Sequence, residues 1–189
     1  IIYKMYVDAG VKIEPKIALL MCSAIISDTL IFRSPTCTEM DREAGKALAE
    51  IAGINIKEHA HEMFFAGSNI SEKTAKELFT GDFKRFSIGD TTFGIGQVSC
   101  MDGEELDQVK KKVMTYMKEQ YKSLGVNMLY FMLTDIIKPG TELLCVGDGA
   151  MELVERAFGV QGSDDVVYLP GVVSRKKQVV PEIMMEITQ

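Results

Sequence analysis

Arg175, Lys176 and Lys177 stand side by side in GVVSRKKQVVP, between two apolar runs, in a chain whose net charge is −6. Adjacent cations beside a core suit an anion with several oxygens, since arginine offers a planar fork to two phosphate oxygens and lysine a mobile point charge. Read as strand, the stretch sends Arg175 and Lys177 to one face and Lys176 to the other. A ligand shared by Arg175 and Lys176 then requires a bend at Ser174 or at the strand end. The plainer reading is a charged strand edge that deters aggregation, although the flanks GVV and QVVP leave little open surface for one. Lys84 and Arg85 in GDFKRFSIG raise the same question at the start of another strand, where a solvated lysine is the ordinary reading.

Asp28 closes the apolar segment KIALLMCSAIISD. A carboxylate there meets the negative end of the helix macrodipole and loses hydration, so it calls for a cation. Arg33 could supply it, or the side chain could cap the next turn; the alternative is a divalent metal, for which carboxylate oxygen is a suitable donor. His59 and His61 in KEHAHEM lie two apart on a helix, do not face each other, and read as surface or packing residues. Cys22, Cys37, Cys100 and Cys145 show neither C-x-x-C nor zinc spacing and read as reduced packing residues. Walker A, G-x-S-x-G, H-E-x-x-H and a strand-borne G-x-G-x-x-G are all lacking, and the glycines of FGIGQVS and CVGDGAM do not have those spacings.

These residues need a scaffold, and 189 residues at 47% hydrophobic and 25% charged are enough for two small globular domains. An acidic chain without tryptophan argues against a nucleic-acid surface held by overall charge, so any anion site is local. The longest apolar run, 17–26, is too short to cross a bilayer and no basic segment precedes it, which reads as a cytoplasmic protein.

The first part reads as helices only. IIYKMYVDAG has helical spacing but no N-cap, as if it continued something earlier. Pro15 opens a second helix whose apolar length implies burial on most sides. Thr38 and Asp41 form a capping box for a helix ending at Gly53, and Asn55 and Ser71 read as N-caps of IKEHAHEMFFAG and EKTAKELFTG.

Near Asp82 the texture changes. FKRFSIG and TTFGIGQVSC read as strands around a Gly89-Asp90 turn. Leu106, Val109, Val113, Met117, Tyr121 and Leu124 then form the stripe of a helix from an N-cap at Asp102 to Gly125. NMLYFMLTDI and ELLCVG follow as strands around Lys138-Pro139-Gly140, then a helix AMELVERAFG, then VVYLPGVVS and KQVVPEI as strands. The boundary stretch FFAGSNISEK reads as a hinge.

MCSAIISDTLIFRSPTCTEMD, LAEIAGI, AGSNISEKTAKEL and GVVSRKKQVVP together resemble the manganese-dependent family II inorganic pyrophosphatases of the DHH phosphoesterase superfamily. The resemblance runs from Ile1 almost to the C-terminus. It implies an α/β chain in which residues 1–70 are the helical end of a DHH domain and residues 71–189 a small α/β DHHA2 domain with a mixed sheet. It also implies metals held by the DHH domain, substrate phosphates gripped by the second domain, and an active site in the cleft between them. Asp28 of SAIISD is then a metal ligand, and Lys84, Arg175 and Lys176 bind substrate phosphates. Ser174 and Lys177 belong to the motif without an assigned contact.

The implied cofactor is Mn²⁺, with Mg²⁺ or Co²⁺ as alternatives, and the implied substrate is pyrophosphate, split to two phosphates by metal-activated water. Neither nucleic acid nor membrane is an implied partner, and the full enzyme is expected to be a homodimer. The family's H-x-x-x-D-x-D motif, mid-domain Asp and D-H-H motif have no counterpart here. The chain therefore reads as a fragment, inactive alone, of an enzyme whose upstream part in one subtype includes regulatory CBS domains. Two other readings stand beside it: another DHH-type phosphoesterase, for which the G-G-G-H motif is lacking, and a non-catalytic phosphate- or nucleotide-sensing module.

Overall fold

Helix signals dominate the first third of the chain and alternating apolar strands the rest, and the backbone divides accordingly into two units, Ile1–Ser68 and Asn69–Gln189. The computed structural model describes residues 1–68, 70–100 and 103–188, the side chains of Ser68, Ser71 and Glu104 excepted.

The first unit holds α1 (Ile2–Asp8), α2 (Pro15–Asp28), α3 (Glu39–Ala52) and α4 (Ile56–Ser68). Pro15 occupies the first turn of α2, where its lacking N–H costs nothing. The expected burial of α2 on most sides is not met. Ala18, Cys22 and Ile26 form one buried stripe, while Leu20 is 67% exposed, because within this unit α3 and α4 cover only one side. The Thr38 capping box forms, its backbone N–H donating to Asp41 Oδ2 at 2.8 Å, and α3 closes at Gly53 with φ +68°. Asn55 caps α4 as expected, its Oδ1 accepting from the N–H groups of Lys57 and Glu58 at 2.9 and 3.3 Å.

The second unit holds α5 (Ala75–Gly81), β1 (Lys84–Ile88), β2 (Thr91–Cys100), α6 (Gly103–Gln120), β3 (Met128–Asp135), β4 (Gly140–Val146), α7 (Ala150–Phe158), β5 (Val166–Pro170) and α8 (Val180–Ile187). Its sheet has the order β1-β2-β3-β4-β5, with β2 and β3 parallel and the other neighbours antiparallel. This is the mixed α/β sheet that the resemblance implied. On β3, Met128, Tyr130 and Met132 pack under α7 and α8, and Leu129, Phe131 and Leu133 under α5 and α6. Alternation thus feeds two cores from one strand.

Gly94 and Gly96 leave room for rings: a Cβ on Gly96 would lie 2.5 Å from the Phe131 ring, and one on Gly94 would lie 2.4 Å from Phe83. The glycines of FGIGQVS serve packing, not phosphate binding.

Two further expectations need correction. α5 starts at Ala75 rather than after Ser71, because Thr74 and Glu77 form a complete capping box. The stretch 175–179 is not strand: Arg175–Val179 is a π-helical turn that runs into α8. Ser174 Oγ accepts from the Lys177 N–H at 3.3 Å. Gln178 Oε1 accepts from the N–H groups of Val173 and Ser174, both at 3.0 Å, and its Nε2 donates to the Gly171 carbonyl at 3.1 Å. Pro181 sits in the first turn of α8, and Val179, Val180 and Ile183 bury one helical face. The expected N-cap at Asp102 lies outside the described residues, as does Asn69 of the expected hinge. Among the described residues no helix is long and apolar enough to cross a membrane.

Candidate phosphate-binding site

Arg175 is the only charged residue among the buried ones described, its side chain 8% exposed. A buried guanidinium must be paired. Nη1 donates to the carbonyls of Asp82 at 2.6 Å and Ile95 at 3.2 Å, and Nη2 donates to Asp82 Oδ1 at 2.7 Å. Asp82 ends α5 and stands two residues before Lys84, which pairs with Ile95 in the β1–β2 ladder. Arg175 therefore ties the α8 turn to the start of β1 and to the middle of β2. Gln97 adds a second tie, its Nε2 donating to the Val173 carbonyl at 3.4 Å.

The bend that a shared ligand required does occur at Ser174, which has extended backbone, with helical turns after it. Lys176, Lys177 and Lys84 are exposed. Arg85 is engaged structurally, donating from Nη2 to the Leu124 carbonyl. Asp82 and Gln178 were missed by sequence reasoning. Gln178 carried a faint signal, a polar residue four after a Ser N-cap, whereas the Asp82–Arg175 pairing spans 93 residues and has no local signature.

In the first unit, Asp28 is exposed on the last turn of α2 and lines a cavity of about 380 Å³ with Tyr3, Lys4, Met21, Thr29 and Asp41. The chain reverses immediately after Asp28 through Leu30, Ile31 and Phe32, all left-handed at φ 47°, 55° and 64°. This is an unfavourable conformation, above all for β-branched Ile31. Buried Thr29 holds the turn, its Oγ1 donating to the Ile25 carbonyl at 2.6 Å and accepting from the Phe32 N–H at 3.1 Å. Asp41 is committed to its cap, whose hydrogen bonds from the Thr38 backbone and hydroxyl hold its carboxyl below the ordinary value.

Among the described residues no group of three or more His, Cys, Asp or Glu side chains could hold a metal ion. Asp28 can offer one carboxylate, and the residues present do not fit a complete metal centre. His59 is a packing residue, its Nε2 2.7 Å from Ser23 Oγ, and His61 stacks on Phe65. The four cysteines are free thiols, three of them buried. A cavity of about 730 Å³ between α6 and β5 is lined by Lys110, Glu142 and Tyr168 and by none of the expected site residues. There the Glu142 carboxylate, 2.6 Å from Nζ, raises the pKa of Lys110.

The DHHA2 domain profile matches residues 61–185. The chain belongs to the DHHA2 family. This DHHA2 chain is 46% identical, over 99% of its length, to a probable manganese-dependent inorganic pyrophosphatase of Clostridium acetobutylicum, and covers 60% of that relative. It is 43% identical over its whole length to a cobalt-dependent inorganic pyrophosphatase of Clostridium perfringens, covering 34% of it. A crystal structure from Methanococcus jannaschii, described as a family II inorganic pyrophosphatase, matches 94% of the chain with a TM-score of 0.80 at 41% identity, over 58% of that structure. The motif resemblance to manganese-dependent inorganic pyrophosphatases is thus borne out. The DHHA2 chain spans no more than about three fifths of these relatives.

Proposed function

We propose that this chain supplies the phosphate grip, and one metal ligand, of a metal-dependent inorganic pyrophosphatase. The observation that carries the reading is Arg175, a buried and tethered guanidinium in a chain similar along its whole length to pyrophosphatases. Pyrophosphate is small and highly charged, so its hydrolysis is chiefly a matter of neutralising phosphoryl oxygens and placing water in line. Arg175 would grip two oxygens as a planar fork, while Lys84 and Lys176 add mobile point charges.

Asp28 would give one carboxylate oxygen to the Mn²⁺ or Co²⁺ for which the relatives are named, or to Mg²⁺. One carboxylate does not hold a two-metal centre, so the chain by itself is expected to be inactive. The same reading makes residues 1–70 the end of a DHH domain and residues 71–189 the DHHA2 domain. It places the full enzyme in the cytoplasm as a homodimer acting on a free anion, without nucleic acid or membrane.

The test joins this chain to the portion of the Clostridium acetobutylicum relative that it does not cover and measures phosphate release from pyrophosphate with Mn²⁺. Release abolished by Arg175→Ala is the expected result. A folded hybrid that leaves pyrophosphate intact sinks the reading, and preferential hydrolysis of a short oligonucleotide would favour another DHH-type phosphoesterase.

A further inference from the structure

Guanidinium carries five N–H donors, and three of those on Arg175 are used: two from Nη1 and one from Nη2. The Asp82 carbonyl and carboxylate together occupy the edge formed by Nη1 and Nη2. Among the described residues the Nε–H and the second Nη2–H are left, two donors on one edge of the same plane, matching two oxygens of one phosphate. Arg175 is 8% exposed and Asp82 53%; among the described residues no buried side-chain nitrogen or oxygen lacks a hydrogen-bond partner, so the unbonded Nε of Arg175 keeps contact with solvent. A solvated arginine would have to be ordered when its ligand arrives; this one is ordered on folding.

We propose that Asp82 is a positioning residue of the phosphate grip, holding the Nη1–Nη2 edge of the Arg175 guanidinium so that the Nε–Nη2 edge is fixed for two oxygens of one phosphate. The inference rests on the pyrophosphate reading above. It makes a prediction opposite in sign to simple charge. As a bare negative charge near the site, Asp82 repels pyrophosphate, and its removal tightens binding. As the holder of Arg175, its removal weakens binding.

The experiment titrates pyrophosphate into this chain at low ionic strength, followed by ³¹P NMR, for the wild type, Asp82→Asn, Asp82→Glu, Arg175→Lys and the Asp82→Asn/Arg175→Lys double variant. Asp82→Asn is expected to weaken binding about tenfold, the factor that one charge-assisted hydrogen bond is worth. The double variant should bind no more than about twofold more weakly than Arg175→Lys alone, since both act through one group. Asp82→Glu keeps the charge but lengthens the side chain, so it should also weaken binding, which a pure charge role does not predict; it serves where Asp82→Asn fails to fold.

Equal or tighter binding by Asp82→Asn, or additive losses in the double variant, overturns the role of Asp82. If wild type binds but Arg175→Lys binds equally well, the grip itself is misassigned. If wild type does not bind pyrophosphate at all, the functional reading falls, and this inference with it.

Discussion

Replacing Gln178 by methionine asks whether a single amide builds the turn that carries Arg175 and Lys176. The wild-type side chain makes three hydrogen bonds, accepting from Val173 and Ser174 and donating to Gly171. Each neutral bond contributes about 0.5–1.5 kcal/mol net, so complete loss would cost about 3 kcal/mol. Gln178 is only half-buried and Gly171 is exposed, so water replaces part of this. About 2 kcal/mol is the expected cost. Methionine keeps the length and the apolar stem, so little of the effect comes from a cavity.

The direct assay is amide hydrogen exchange at Val173 and Ser174. If they exchange by local opening, 2 kcal/mol corresponds to about 30-fold faster exchange in the variant. Gln178→Glu keeps both accepted bonds and loses only the donation to Gly171, so its cost should be about 1 kcal/mol. Unchanged exchange at both amides, with an unchanged unfolding midpoint, would show that the turn is held by something else.

Gly96→Ala should destabilise the second unit by about 2 kcal/mol, since the added methyl meets the Phe131 ring at 2.5 Å and the Phe79 carbonyl at 3.1 Å; a urea midpoint equal to wild type refutes the packing argument. The Asp41 cap has a sign as well as a size. Its folded-state pKa is depressed, so its contribution is present above the ordinary carboxylate value and fades as pH falls through the lowered one. The stability gap between wild type and Asp41→Asn should therefore close in acid, and a gap independent of pH counts against the cap. Among the thiols, half-buried Cys37 should react first with a disulfide reagent at neutral pH. Buried Cys22, Cys100 and Cys145 should wait for unfolding, burial raising the Cys22 and Cys145 thiols above the ordinary value; simultaneous labelling of all four would contradict the packing.

The sequence by itself determined what depends on neighbours in the chain. The Thr38–Asp41 box, the Asn55 cap, the stripe of α6, the strand character of β3 and the hairpin at Gly89-Asp90 are all set within a few residues. They were legible for that reason. Family membership was legible too, because motifs are strings. Tertiary structure decided what depends on partners far along the chain. The Val-rich run around SRKKQ fits a strand pattern, and only Gln178 folding back on Val173 and Ser174 makes it a helical turn. The half-exposed α2 depends on how much of the helix its neighbours cover. The environment of Arg175 depends on Asp82, a carboxylate that no spacing rule connects to it, because a side-chain hydrogen bond is specified by distance in space and leaves no period in the sequence.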